Sequence, residues 1–278
     1  MTWILLSVLV GLTVLLYLLL FAISRLTIPG ASPREMGTLQ TLLGLRLAIP
    51  FELFILTSFG AVLAVILTAS TVGNEYNWRT IRIALISSES RLRFLSAKVI
   101  SALILILIGM LAGLVTGFVM SLITTAVGGN PFDFSFITGS YIWTQFLQFW
   151  RTFFMILPFT MLGFLFAVIG RSAMPGIAIG VGVLFLEPLI TTFMRLAGGW
   201  ISNVPDYLFS ANVNAINALN SLPGRFLGGA GGGPAGGGFN GSASQISSVG
   251  HAFIILSLYI VVFVAAGFYL FHKRDVTG

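Results

Sequence analysis

The stretch of residues 73–98, GNEYNWRTIRIALISSESRLRFLSAK, holds the densest charge in the chain. Its charged residues are five cations and two acids: Glu75, Arg79, Arg82, Glu89, Arg91, Arg93 and Lys98. The apolar runs on both sides are each long enough to cross a bilayer. A polar segment joined at both ends to spanning helices is held at the membrane surface. We call this stretch the hairpin.

The apolar residues of the hairpin are spaced as on a short amphipathic helix, since Trp78, Ile81 and Leu85 follow the i, i+3, i+7 pattern. The serines at 87, 88 and 90 favour a stop and a new helix N-cap. A second helical run is expected to begin near Arg91 and to continue into the next span. Arginine side chains in such a segment suit a protein or phosphate partner.

The composition of the 278-residue chain is that of an integral membrane protein, with 57% hydrophobic and 8% charged residues. A soluble domain carries about 25% charged residues. The net charge of +6 fits the anionic inner leaflet of a bilayer, and the basic residues are not interleaved with aromatics as a nucleic-acid surface requires. With no cysteine in the chain, disulfides, thiolate metal sites and thiol nucleophiles are excluded. The two histidines, His251 and His272, lack metal-ligand spacing, so no metal site is expected.

Apolar runs of about 20 residues predict six transmembrane helices in one all-α transmembrane domain, residues 1–278. We number them spans 1 to 6. Their predicted bounds are 3–23, 51–71, 99–124, 149–169, 174–194 and 252–271. The predicted outer loops are 24–50, 125–148 and 195–250.

The orientation follows from the placement of Lys and Arg. Eight cations lie on the side of the hairpin, namely Arg79, Arg82, Arg91, Arg93, Lys98, Arg171, Lys273 and Arg274. Six are scattered over the longer loops of the other side, namely Arg25, Arg34, Arg46, Arg151, Arg195 and Arg225. The compact basic side is therefore predicted to be cytoplasmic, with both termini on that side of a multi-pass cell-membrane protein.

The run GGAGGGPAGGG at 228–238 has the composition of a flexible linker. A phosphate-binding loop is excluded, because no Lys-Ser or Lys-Thr pair follows the glycines and no strand precedes them. If ATP drives this protein, another chain must bind it.

The hairpin resembles the first cytoplasmic loop of the permease subunits of type-2 ABC exporters. The resemblance lies in Gly73-Asn74-Glu75-Tyr76, in Thr80 and Arg82, in Ser90-Arg91 and in the run 94–98. Arg79 stands where that family usually has Gly. The tail, Phe271-His272-Lys273-Arg274-Asp275, is also similar to the family's end.

The resemblance implies that the hairpin contains a coupling helix that docks on a separate ATPase subunit. The coupling residues would be Glu75, Trp78, Arg79, Thr80, Arg82 and Arg91. Glu75 could instead be an acid at the N-terminus of the surface helix, and Arg91 an ordinary anchor to the inner leaflet. The resemblance further implies a second permease subunit, identical or similar, and ATP with Mg²⁺ bound by the ATPase partner. No cofactor and no catalytic residue is expected in this chain.

Small residues recur with a period of four along span 3, among them Gly109, Gly113 and Gly117. Small side chains let helices approach closely in lipid. The stripe indicates either a face of the translocation pathway or dimer interface, or a packing groove within the subunit.

Two acids lie in predicted spans. Glu187 stands directly before Pro188 in span 5, and a carboxylate in hydrocarbon must be paired, hydrated or protonated. It could serve a gate or pathway, or be a structural acid paired with Arg195 or Arg151. Glu52 follows Pro50 at the predicted start of span 2, where an acid suits the helix dipole, and we interpret it as structural.

The function that the resemblance implies, and the one predicted first, is the permease subunit of an ATP-driven exporter. An intramembrane enzyme is disfavoured, because the chain has no HExxH, GxSxG or paired intramembrane aspartates. A self-contained secondary transporter and a membrane sensor or regulator built on the same architecture stay as alternatives.

Overall fold

A computed structural model describes residues 2–25, 41–77, 91–129, 131–220 and 249–273, with the backbone alone for residues 75–77 and 91. Every regular element in these ranges is helical. Six helices are long and apolar enough to cross a membrane, as the sequence predicts, and the protein is a multi-pass membrane protein.

Five of the spans are single helices: span 1 is Thr2–Arg25, span 3 is Arg91–Gly128, span 4 is Gly139–Gly170, span 5 is Ala173–Ala197 and span 6 is Val249–Lys273. Span 2 is composite. It comprises the 3₁₀ turn Leu45–Leu47, the α-helix Ala48–Ile55, the π-helical turn Leu56–Gly60 and the α-helix Ala61–Asn77. Between spans 5 and 6 lie a 3₁₀ helix, Gly199–Tyr207, and a short α-helix, Phe209–Asn217, which together we call the cap.

The helices are longer than the apolar runs that predicted them. Span 2 begins at Leu45 rather than near Phe51, and span 4 begins at Gly139 rather than near Phe149. A hydropathy window detects only the part of a helix that lies in hydrocarbon, whereas backbone hydrogen bonding continues through the interface. The aromatic residues at 141–148, which the sequence places in an outer loop, are therefore on the first turns of span 4.

Two sets of contacts define the two ends of the bundle. At the cap end, the Arg25 guanidinium donates to the Val127 carbonyl at 3.5 Å and the Tyr141 hydroxyl donates to the Arg46 carbonyl at 2.9 Å. At the opposite end, which we call the hairpin end, Gly73 of span 2 contacts the connection between spans 4 and 5 at Ala173. Successive spans therefore alternate in direction.

Spans 2 and 4 form the centre of the bundle. Their most apolar windows are 61% and 67% buried, against 17% for span 1 and 11% for span 6. Span 5 joins them through small residues, since a Cβ at Gly180 would meet Val65 at 2.5 Å and one at Gly176 would meet Ala69 at 2.9 Å. Without a hydrophobic driving force between helices in lipid, such close backbone approach is what stabilises the assembly.

Spans 4 and 5 are joined by only two residues, Arg171 and Ser172. Arg171 closes span 4 in the left-handed conformation at φ 50°, which a non-glycine residue rarely adopts. Ser172 is the N-cap of span 5, and its hydroxyl accepts the Met174 N–H at 3.4 Å. The connection is therefore a tight turn between two antiparallel helices.

Candidate functional site

The most deeply buried acid described in the chain is Glu52 of span 2, which has no exposed surface. It is the fifth residue of the α-helix that begins at Ala48, so it lies beyond the first turn where an acid would interact with the helix dipole. Our interpretation of Glu52 as a first-turn acid is therefore wrong. Pro50 is in that first turn, where its missing N–H costs nothing.

One hydrogen bond holds the Glu52 carboxyl group. The Thr13 hydroxyl of span 1 donates to Glu52 Oε1 at 3.0 Å, while Oε2 has no hydrogen-bond partner. Tyr17, one turn further along span 1, is also fully buried; its hydroxyl contacts the Ala48 carbonyl at 3.5 Å and its ring meets Phe51 edge-on at 5.2 Å. The acid is thus enclosed by a hydroxyl, a phenol and apolar side chains.

The glycine stripe of span 3 provides the space for this acid. A Cβ at Gly117 would lie 2.6 Å from Glu52 Oε2, and one at Gly113 would lie 3.1 Å from Glu52 Oε1. The packing around Gly109 is less tight, since a Cβ at this position would meet only Leu9 of span 1, at 3.9 Å. In the described chain the stripe thus faces spans 1 and 2 of the same subunit.

A π-helical turn, Leu56–Gly60, follows Glu52 within span 2. Single π-helical turns inside α-helices are rare and occur frequently at functional sites. Leu56 begins this turn and lies beside the acid, since a Cβ at Gly113 would meet the Leu56 side chain and Glu52 Oε1 at 3.1 Å each.

Leu56 also lines an apolar cleft. The cleft has a volume of about 260 Å³ and is lined by spans 1, 2 and 3, including Leu9, Leu56, Gly60 and Gly109, with Ile156 of span 4. Leu56 thus borders both the cleft and the surroundings of the buried carboxyl group.

Glu187 of span 5 is the second buried acid, with 7% of its surface exposed. Its Oε1 accepts the backbone N–H of Ser210 at 2.8 Å and the Ser210 hydroxyl at 3.3 Å. Ser210 is in the first turn of the cap helix Phe209–Asn217, whose own N-cap residue, Leu208, makes no side-chain capping bond. Glu187 thus caps that helix from a different span, which satisfies one of its free N–H groups.

The basic partners suggested for Glu187 make other contacts. Arg195 pairs with Asp206 of the cap at 3.6 Å, and Arg151 donates to the Leu219 carbonyl at 3.1 Å. The pairing of Glu187 with either arginine is therefore wrong. The partner of the acid is a backbone N–H, which no charge pattern can reveal.

Asp133, in the connection between spans 3 and 4, is an exposed acid whose pKa lies below its usual value. The hydrogen bonds from Ser135 are the main cause, and the positive charge of Arg46 adds to them. The backbone N–H of Ser135 donates to Asp133 Oδ1 at 2.8 Å. Arg46 is thus directed to the cap-end surface, away from Glu52.

Most of the predicted coupling residues lie outside the described residues. This holds for Trp78, Arg79, Thr80 and Arg82, and for the side chains of Glu75 and Arg91. The backbone of Glu75 belongs to the last turn of span 2, and that of Arg91 is the first residue of span 3. No three His, Cys, Asp or Glu side chains come together as a metal site within the described ranges.

The described part of the hairpin adds one contact that the sequence did not suggest. A Cβ at Gly73 would collide with the backbone of Ser172 and Ala173. The end of span 2 therefore lies directly against the turn between spans 4 and 5. The only sign of this contact in the sequence is the glycine itself, two residues before Glu75.

Comparison with known proteins identifies a family. Residues 40–277 match the model of a family described as a protein of unknown function, DUF2705. The match covers most of the chain, which therefore belongs to this family. No curated protein and no solved structure matches it.

Proposed function

We propose that this DUF2705 protein is the membrane-spanning permease subunit of an ATP-driven exporter of the type-2 ABC class. It would work as a dimer with an identical or similar subunit, and separate ATPase subunits would bind ATP and Mg²⁺. The hairpin at 73–98 would be the docking element for the ATPase on the cytoplasmic face of the cell membrane.

The observation that carries this proposal is the contact of Gly73 with Ser172 and Ala173. Gly73 is the first residue of the hairpin, and the turn it touches joins spans 4 and 5. A displacement of the hairpin is therefore passed without an intervening side chain to two further spans. Close-packed interfaces of this kind shift as units rather than deform.

A second support is the length of span 3. Its 38 residues extend about 57 Å at 1.5 Å per residue, longer than the ~30 Å hydrocarbon core of a bilayer. The excess gives a rigid connection from the hairpin at Arg91 into the membrane. The glycines at 113 and 117 of the same helix then contact Glu52 of span 2.

The orientation can be tested directly, because the chain has no native cysteine. A single cysteine in the hairpin, Ser88→Cys, should be inaccessible to a membrane-impermeant maleimide in intact cells. A cysteine in the cap, Asn203→Cys, where the side chain is exposed, should be labelled. Labelling of Ser88→Cys in intact cells, together with protection of Asn203→Cys, would show that the orientation is opposite to the predicted one. The proposal would then be ruled out.

Coupling is tested with the ATPase that co-purifies with the chain from native membranes. Glu75→Ala and Arg82→Ala should lower ATP turnover of the complex, while Arg25→Ala, at the cap end, should leave it unchanged. Wild-type turnover in both hairpin variants, with the ATPase still bound, would contradict coupling through these residues.

A self-contained secondary transporter is the second candidate, and the buried Glu52 favours it, since transporters of that class carry intramembrane acids near their substrate path. The two candidates differ in the energy source. Transport by the purified chain in vesicles without any ATPase would support the second candidate.

A further inference from the structure

We propose that Glu52 is a proton-binding site inside the membrane, at which the carboxyl group is neutral while spans 1, 2 and 3 are packed on it and releases its proton to water only when that packing opens. The proposal concerns this chain alone and does not depend on an ATPase partner.

A negative charge on the Glu52 carboxyl group would be costly at this position. Glu52 has no exposed surface and receives a single hydrogen bond, from Thr13, while Oε2 has none. An ionised carboxylate needs several hydrogen bonds or a cation to offset its lost hydration, and an isolated buried charge costs several kcal/mol or more. One hydroxyl donor does not meet that need, whereas a neutral carboxylic acid carries a much smaller desolvation cost.

The helices packed around Glu52 place no positive charge near its carboxyl group in the described residues. Among the described residues, the ionisable side chain that interacts with Glu52 is that of Tyr17 in span 1, and as a neutral phenol it offers no positive charge. The basic side chains nearest the cap end are engaged elsewhere: Arg25 with the Val127 carbonyl, Arg46 beside Asp133 and Arg151 with the Leu219 carbonyl. On span 3, the cation of the described residues closest in sequence to Gly113 is Lys98, about 22 Å away along the helix. The described residues thus supply no cation to Glu52.

The side chain of Leu56 is the part of the site that could move to open it. Leu56 lies beside the acid, begins the π-helical turn and lines the apolar cleft. A shift of Leu56 into the cleft would loosen the packing of spans 2 and 3 beside the carboxyl group. The site therefore combines a held proton with a single movable side chain.

The test is infrared difference spectroscopy on the full chain in lipid vesicles. The difference spectrum of the wild type minus the Glu52→Gln variant should show the C=O stretching band of a protonated carboxylic acid at neutral pH. The spectrum of the Glu187→Gln variant should retain that band. A pair of carboxylate bands in place of the acid band would overturn the proposal.

Two further variants test the geometry. Thr13→Val keeps the side-chain volume but removes the hydroxyl donor, so the acid band should move to the higher frequency of a carboxyl group with no hydrogen bond. Leu56→Ala should speed the exchange of the acid proton for deuterium by at least ~tenfold, since local opening governs exchange at a buried site. An unchanged exchange rate in Leu56→Ala would overturn the gated release.

Discussion

Glu187 of span 5 holds the N-terminus of the cap helix through Ser210, whose backbone N–H it accepts at 2.8 Å. The acid thus ties the middle of a transmembrane helix to an element that follows it by 23 positions in sequence. Because the contact satisfies a helix N–H in a buried place, its loss leaves a donor without a partner.

Glu187→Ala should loosen the cap helix Phe209–Asn217. Loss of a capping group costs about 0.5–2 kcal/mol, so backbone amide exchange at 209–212 should speed by a factor of roughly 2 to 30. Glu187→Gln keeps an oxygen acceptor and should have a smaller effect. Equal exchange in wild type and Glu187→Ala, measured by hydrogen–deuterium exchange mass spectrometry, would contradict the capping role.

The same Glu187→Gln variant tests a role in transport. A capping acid is replaceable by the amide, whereas an acid that must bind a proton or cation on the pathway is not. Full transport activity in a stably folded Glu187→Gln protein would leave the gate or pathway role without support.

Gly117→Ala should destabilise the bundle, since the new methyl group would overlap the Glu52 carboxyl group. Overpacking of this kind costs about 1–3 kcal/mol. Gly109→Ala, in the same helix, meets only Leu9 at 3.9 Å and is the matched control. It should be neutral or stabilising by up to ~1 kcal/mol, as Ala replaces Gly in a helix. Thermal unfolding in detergent should therefore rank Gly109→Ala at or above wild type and Gly117→Ala below it.

Gly73→Ala should displace span 2 from the turn between spans 4 and 5, because the neighbouring atoms are backbone and cannot rotate away. The unfolding midpoint should fall by more than in Gly117→Ala. Gly182→Ala, with open space around its Cβ position, provides the control for a glycine replaced inside a span. A midpoint for Gly73→Ala equal to that of Gly182→Ala would show that the contact is not tight.

The pKa of Asp133 should rise toward its usual value in Ser135→Ala, which removes the hydroxyl but keeps the backbone N–H. The folded-state pKa is lowered, so the stabilisation from this acid is present above its unfolded pKa and is lost as pH falls through the folded value. NMR titration of the carboxyl carbon would measure the shift. Arg46→Ala should cause a smaller rise, because its charge is the weaker cause.

The six spans could be predicted from the sequence because a membrane helix needs only sufficient length and apolarity. The environment of Glu52 could not. The apolar run begins at Phe51, whereas the helix begins before it, and the acid is therefore further inside the helix than the run indicates. Its partner, Thr13, lies in another span 39 positions away.

The partner of Glu187 was equally hidden from sequence. Residues 199–217 belong to a loop whose most visible feature is the glycine-rich run at 228–238, so no helix was predicted there. Charge suggested Arg195 and Arg151, but a backbone N–H has no signature in the sequence. The glycines of span 3 can be recognised in the sequence as a stripe, but their contact with Glu52 cannot be predicted from it.

The two-residue connection formed by Arg171 and Ser172 also bears on biosynthesis. Span 5 has the lowest hydropathy of the six spans and contains both Glu187 and Pro188. Because the linker is this short, we expect span 5 to stay beside span 4 as the nascent chain leaves the ribosome and the two helices to enter the bilayer as one antiparallel pair. In such a pair, the more apolar span 4 would assist the insertion of span 5.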